Sequence, residues 1–351
     1  MFFLKKVFVL TRQIIIITLI SVLCLEAAFR IYQAIQPSYI FYDASYNRFR
    51  GKPNSYDYEF ALNSSGFKDV EFKKQKESDV FRILGMGDSF AYGVVPYQYN
   101  YYTLLEDELS KLEQNVELIN MGIINTGPKD YYALLVNEGL ELKPDMVILS
   151  IFIGNDFIEP VRELYSYSYV ASFIKFVSDL FHGGFLAHGR TVYQDDKPTH
   201  STEVFMNIEV ATSHAFLKNY ENFKNHFDAS LETLIKFAEL CKENNIELLF
   251  FIIPDEAQVN EALQQEVMER FKEYPGGFDF AQPNRWLAEA FEADNIAYLD
   301  PLEPFKQATM LNTLYKPRDT HWNIAGNELA AALLYQHLSL HNNLSKLRPG
   351  P

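Results

Sequence analysis

The chain has 351 residues, with 31 Lys plus Arg against 46 Asp plus Glu and a formal net charge of −15 at pH 7. That balance argues against a nucleic-acid partner, because phosphate contacts need a basic stripe and the sequence shows none. A hydrophobic fraction of 48% is that of an ordinary globular protein, long enough for one large domain with appendages.

The chain opens with Lys5 and Lys6, apolar residues broken by Arg12 and Gln13, and an uninterrupted apolar run from Ile14 to Leu25. The run alone is short for a membrane span, but the stretch Val7 to Phe29 is long enough to cross with Arg12 snorkelling. Residues 1–30 are therefore expected to form an N-terminal transmembrane helix. Processing is disfavoured: a cut after Ala27 or Ala28 would put Leu25 or Glu26 where a small residue is wanted, and Ser21-Val-Leu-Cys24 lacks a small residue before its cysteine. Lys5, Lys6 and Arg12 precede the run and Arg30 alone follows it closely. The positive-inside rule then predicts a single-pass protein with a cytoplasmic N-terminus and an extracytoplasmic remainder. Cys24 and Cys241 lie far apart, the first in the apolar segment, which argues against a disulfide and excludes a cysteine-based metal site.

Residues 31–78 are rich in Tyr, Phe, Asn, Ser and charge without a clear period, and read as a stalk that packs onto the following domain. Leu62 to Phe67 carries a turn signal. From Val80 the pattern changes to short apolar runs of the kind buried parallel strands require: Val80 to Met86, Val116 to Ile119, Met146 to Ile151, Glu247 to Ile253 and Ala297 to Leu299. Helical patterns lie between them, near residues 101–113, 130–140, 220–244, 285–294 and 324–341. The alternation predicts an α/β fold, a three-layer α/β/α sandwich around a parallel flavodoxin-like sheet, over residues 79–345. In such sheets a site forms beyond the carboxyl ends of the strands. The rhythm lapses over residues 157–219, an insertion that reads either as a lid at the mouth of that site or as an accessory helix pair covering a sheet edge.

Three segments carry chemistry, in this order: Gly87-Asp88-Ser89-Phe90; Gly154-Asn155-Asp156; and Asp319-Thr-His321-Trp322-Asn323. A serine hydroxyl is a weak nucleophile until a histidine takes its proton. The histidine needs a carboxylate to fix its tautomer, and the oxyanion formed needs preorganised donors. Ser89 taken alone is as easily a turn residue or helix cap, and His321 beside an acid as easily a surface pair. The other seven histidines, His182, His188, His200, His214, His226, His337 and His341, lack comparable context.

In their order, with Asn120-Met-Gly122-Ile-Ile-Asn125-Thr-Gly127 as the second block, these segments resemble the blocks of the SGNH/GDSL hydrolases, over roughly residues 80 to 340. The resemblance implies Ser89 as nucleophile, His321 as base and then acid, and Asp319 as its orienter. It also implies an oxyanion hole from the Ser89 N–H, the Asn155 amide and the N–H of residue 125. Asn125 stands where the family has a glycine. Asparagine tolerates left-handed backbone better than most residues, and the donor role requires that conformation here. Asp88 and Asp156 read as loop-pinning residues. Asn323 suits the N-cap of the last helix, and Trp322 suits either that helix start or the wall of a substrate cleft.

No His/Cys/Asp cluster has metal-ligand spacing, and Gly85-Met-Gly87 lacks the further glycines of a dinucleotide loop, so neither metal nor cofactor is expected. Tyr97, Tyr99, Tyr101 and Tyr102 suit core packing better than a sugar platform. The expected function is a serine esterase acting outside the cytoplasm on acylated small molecules, glycans or lipids. Two alternatives stand beside it: an O-acetyltransferase of envelope polysaccharide using the same triad, and a non-catalytic protein that binds glycan or a partner on the same fold.

Overall fold

The computed structural model describes residues 2–35, 46–111, 115–158, 164, 167–181 and 192–340. They divide into two compact units, one of Met1–Arg48 with Pro160–His188 and the other of Phe49–Glu159 with Gly189–Pro351. The first unit is built from helix α1 (Phe2–Ile35) and, further along the chain, helix α5 (Tyr169–Phe181). From residue 6 onward α1 leaves nearly all of its apolar surface exposed, and Lys6–Ile35 is long and apolar enough to cross a membrane.

The second unit holds a two-stranded hairpin, β1 (Tyr56–Asp57) and β2 (Phe60–Ala61), and five further strands. These are β3 (Phe81–Met86), β4 (Val116–Asn120), β5 (Met146–Phe152), β6 (Glu247–Ile253) and β7 (Tyr298–Leu299). They pair in parallel in the order β4-β3-β5-β6-β7, the flavodoxin-like order with its reversal at β3. Gly85 pairs with Asn120 and Met86 with Leu149, so β3, β4 and β5 deliver their carboxyl ends to one edge.

Helices cover both faces, because strands that alternate side chains up and down bury both sets. On one face α3 (Tyr101–Ser110), α11 (Leu302–Thr309) and α12 (Ile324–Leu340) bury Tyr101, Tyr102, Leu105, Phe305, Leu334 and Leu338 against Ile83, Ile148 and Phe251. On the other lie α4 (Pro128–Leu134), α7 (Glu221–Glu243) and α10 (Gln282–Ala293). Helix α7 turns Phe223, Phe227, Leu234, Phe237 and Cys241 inward at helical spacing. Phe250 of β6 stacks on Phe291 of α10 with centroids 4.6 Å apart. Three short helices carry the remaining connections, α6 (Thr202–Thr212), α8 (Glu256–Val259) and α9 (Glu261–Arg270).

All five strand runs read from the sequence are present, as are the four helical patterns between them and the one after the last strand, residues 112, 113 and 341 of those patterns lying outside the described residues. The pattern near 130–140 begins at Pro128 and stops being α-helical after Leu134, where a wider turn over Leu135–Gly139 takes over. Asn63 closes the turn expected before Phe67, its Oδ1 accepting from the N–H groups of Ser65 and Phe67 at 3.0 Å.

Candidate active site

Strand β3 ends at Met86, and Gly87 turns the chain with φ near +150°, where a Cβ would stand 3.0 Å from Ala91 and Ser150. Asp88 then caps the single-turn helix α2 (Ser89–Tyr92), its Oδ1 accepting the Phe90 N–H at 2.9 Å. Ser89 is thus the first residue of a helix, half-buried, with an N–H that has no partner within that helix.

The segment after β4 leans directly on this turn. Asn120 donates from Nδ2 to the Ala91 carbonyl at 2.8 Å and accepts the Gly122 N–H at 2.9 Å. A Cβ on Gly122 would lie 2.2 Å from the Tyr92 nitrogen, so only glycine permits this approach. Asn125 sits exposed at φ +55°, the left-handed conformation that the expected donor role required.

The loop after β5 is held by Asp156. Its Oδ2 accepts the Phe152 N–H at 2.9 Å and its Oδ1 the Tyr131 hydroxyl at 2.7 Å, while Ser230 donates to its carbonyl at 2.9 Å. Burial drives the Asp156 carboxyl well above the usual carboxylate range, with the nearby Asp88 charge adding to the shift. Asn155 projects outward, and its Nδ2 donates to Asp88 Oδ2 at 3.0 Å. An amide nitrogen has two hydrogens, so one stays available after this bond. Asp88, expected to pin a loop, therefore also orients the Asn155 amide. Burial raises its carboxyl, against the opposing hydrogen bonds from Phe90 and Asn155.

His321 completes the arrangement. Its Nδ1 lies 2.6 Å and its backbone N 3.1 Å from Asp319 Oδ1, and its Nε2 lies 2.7 Å from Ser89 Oγ. A carboxylate at Nδ1 demands a proton there, which leaves Nε2 to accept from the serine. Asp319 is 3% exposed. Burial alone would raise its carboxyl, but the hydrogen bond and charge of His321, with Thr199 close by, hold it well below the ordinary value. Phe90 packs against both the His321 and Trp322 rings with centroids 5.0 Å away. Trp322 is a core residue, against Tyr101 and Phe305 as well, and lines no cleft. Asn323 caps α12 as expected, accepting the Gly326 N–H at 2.9 Å.

Ser89, Asp319 and His321 are thus brought into one hydrogen-bonded chain, Asn155 is hydrogen-bonded to Asp88 beside Ser89 in sequence, and Asn125 lies on the loop after β4. Asp195 carries no local signal that marks it in advance; its Oδ1 accepts the Ile324 N–H at 3.1 Å and steadies the start of α12 just past His321. Among the described residues no group of three or more His, Cys, Asp or Glu side chains is placed to hold a metal ion.

Residues 212–350 match the family ALGX, described as an SGNH hydrolase-like domain, acetyltransferase AlgX. The match takes in Asp319 and His321, while Ser89, Asn125 and Asn155 stand on its N-terminal side. Solved structures similar to the chain include the acetyl xylan esterase AlAXEase, at 14% identity over 73% of this chain and 99% of that one with a TM-score of 0.42. A catalytic variant of the Geobacillus stearothermophilus acetylxylan esterase Axe2 is similar at 15% identity over 76% and 96%, TM-score 0.42. A GDSL-like lipase from Bacteroides thetaiotaomicron is similar at 13% over 77% and 93%, TM-score 0.41. Likeness at that level carries no assignment of activity. No curated protein matches the chain.

Proposed function

We propose that the SGNH domain is a serine esterase that cleaves O-acyl esters through an acyl-enzyme on Ser89. The observation that carries this reading is His321 lying within hydrogen-bond reach of Ser89 Oγ on one ring nitrogen and Asp319 on the other, at 2.7 and 2.6 Å. Ser89 Oγ attacks the ester carbonyl carbon as its proton passes to His321 Nε2, and Asp319 stabilises the imidazolium. The carbonyl oxygen, now anionic, takes hydrogen bonds from the Ser89 N–H, the second Asn155 amide hydrogen and the Asn125 N–H. The carbon–oxygen bond of the leaving alcohol breaks as His321 returns the proton to it. Water, deprotonated by the same histidine, then releases the acid.

Helix α1 tethers the domain to a membrane, and the distribution of Lys5, Lys6, Arg12 and Arg30 favours an extracytoplasmic site. Small acyl groups on envelope glycans, or lipid esters, are the substrates this placement would offer. The acetyltransferase description of the matched family favours a second reading, in which a sugar hydroxyl replaces water in the last step. Turnover of a chromogenic acetate ester by the detergent-solubilised chain, with and without a glycan acceptor, separates the two. A hydrolase loses donor at a rate indifferent to the acceptor, whereas a transferase speeds up and leaves acetyl on the glycan. Undiminished turnover by Ser89→Ala would contradict both.

A further inference from the structure

Helix α5 packs against α1, and its first turn is capped in an unusual way. Ser168 already stands in the local capping position, its Oγ accepting the Ala171 N–H at 3.2 Å. A second cap reaches across from α1. Glu26 Oε2 accepts from the Ser168 hydroxyl at 2.9 Å and the Val170 N–H at 3.0 Å, and its Oε1 accepts the Tyr169 N–H at 3.1 Å. Arg30 pairs with Glu26, donates to the Tyr167 carbonyl at 3.2 Å and lies over the Tyr169 ring at 4.6 Å. Helix N-termini in water leave several of these groups to solvent. Here they are closed by protein, as surroundings poor in water demand.

Outside this polar knot the surface is apolar. Tyr167 and Ile174 are more than half exposed and Phe173 is 38% exposed. Phe173 also packs on Phe29 of α1 with centroids 5.1 Å apart, so the exposed patch continues the bare apolar surface of α1. The level of this contact follows from length. A hydrocarbon core of about 30 Å takes about 20 helical residues. Starting near Val7, that count ends near Glu26, which puts Tyr167 and the first turns of α5 at the outer headgroup boundary, where tyrosine is favoured. Exposed Lys175 lies at a height where its stem can lie along apolar surface and its ammonium reach water.

We infer that the first turns of α5 lie in the membrane interface beside the outer end of α1, with phospholipid covering Tyr167, Phe173 and Ile174. This rests on the reading of α1 as a membrane span. Helix α5 is then a second, shallow membrane contact, held in register with the span by the Glu26 cap.

The test uses the full chain in phosphatidylcholine nanodiscs, with Cys24→Ala removing the exposed native thiol and a nitrobenzoxadiazole label at Ile174→Cys, Ile16→Cys or Lys242→Cys. The expected result at position 174 is blue-shifted emission quenched by phosphatidylcholine doxylated near the headgroup and little affected by iodide. Position 16 should be quenched by lipid doxylated deep in the chain, and position 242 by iodide alone. Quenching at 16 with an iodide-accessible label at 174 would overturn the inference and leave the span intact. A label at 174 shielded from both quenchers would mean a protein occupant, such as a second copy, and would equally overturn it. An unquenched label at 16 would remove the span, and the inference with it.

Discussion

Two glycines of one segment should respond oppositely to the same added methyl. At Gly122 a Cβ would stand 2.2 Å from the Tyr92 nitrogen and 2.5 Å from the Ala91 carbonyl carbon, both backbone atoms of the turn that carries Ser89. Ordinary contact is reached about 1.2 Å further out, and backbone on both sides has no rotamer by which to yield. The strain must therefore be relieved by moving α2 away from β4, which shifts Ser89 Oγ off the 2.7 Å contact with His321 Nε2. Overpacking of this kind costs about 1–3 kcal/mol of stability. Misplacement of a reacting group by about 1 Å costs about a hundredfold in rate. Gly127, by contrast, has extended backbone at φ −148°, and a Cβ there meets only Asp156 Oδ1 at 3.5 Å. Gly127→Ala should stay within about 0.5 kcal/mol of the parent. The assay is kcat/KM on a chromogenic acetate ester alongside thermal unfolding of both variants. A Gly122→Ala protein with parental kcat/KM would show that this contact does not set the position of Ser89, and the reasoning would be wrong.

Asp319→Asn should leave the fold standing and lower kcat by about 10⁴, because the amide no longer enforces the Nδ1–H tautomer; steady-state kinetics with a circular dichroism control checks this. Asn155→Ala should lower kcat by about 10²–10³ with little change in KM, as expected of a donor that matters in the transition state. Burial pushes the Asp69 carboxyl up to about 7 despite its hydrogen bonds from Asn120, Val70 and Tyr97. A carboxyl raised in the folded state binds more protons there than when unfolded, so its contribution weakens as pH climbs from the unfolded value of 3.8 through about 7. Unfolding midpoints at pH 5 and pH 8 should therefore fall more in the parent than in Asp69→Asn; equal falls would contradict the assignment.

The sheet was legible because its strands are buried on both faces and so read as apolar runs, Met146 to Phe152 being buried without a break. The residues of the Ser89–His321–Asp319 hydrogen-bonded chain could be picked out because each sits in a short segment next to a strand end or a helix start, where local sequence decides the turn. What was hidden depends on distant partners or on exceptions to local rules. The β1–β2 hairpin turns through Tyr58 and Glu59 at φ +48° and +69°, left-handed positions that ordinarily call for Asn, Asp or Gly, so no turn signal marks it. The cap on α5 comes from Glu26, more than 140 residues earlier. Asp88 looked like a loop-pinning residue because its second partner, Asn155, lies 67 positions away. Trp322 had two readings because a tryptophan directly after His321 suits core and cleft equally, and only the packing of Phe90, Tyr101 and Phe305 around it decides. Helices α8 and α9 do carry local signals, the capping box of Asp255 with Gln258 and the Asn260 cap, which the longer apolar patterns overshadowed.

The most direct test of the central claim is the reaction of the full chain with a fluorophosphonate, which phosphonylates a serine only when a neighbouring base activates it. One label per chain, mapped to Ser89 by peptide mass and abolished in Ser89→Ala and His321→Ala, is the result this account predicts. A folded parent protein that does not react, or one labelled equally well in both variants, would contradict it.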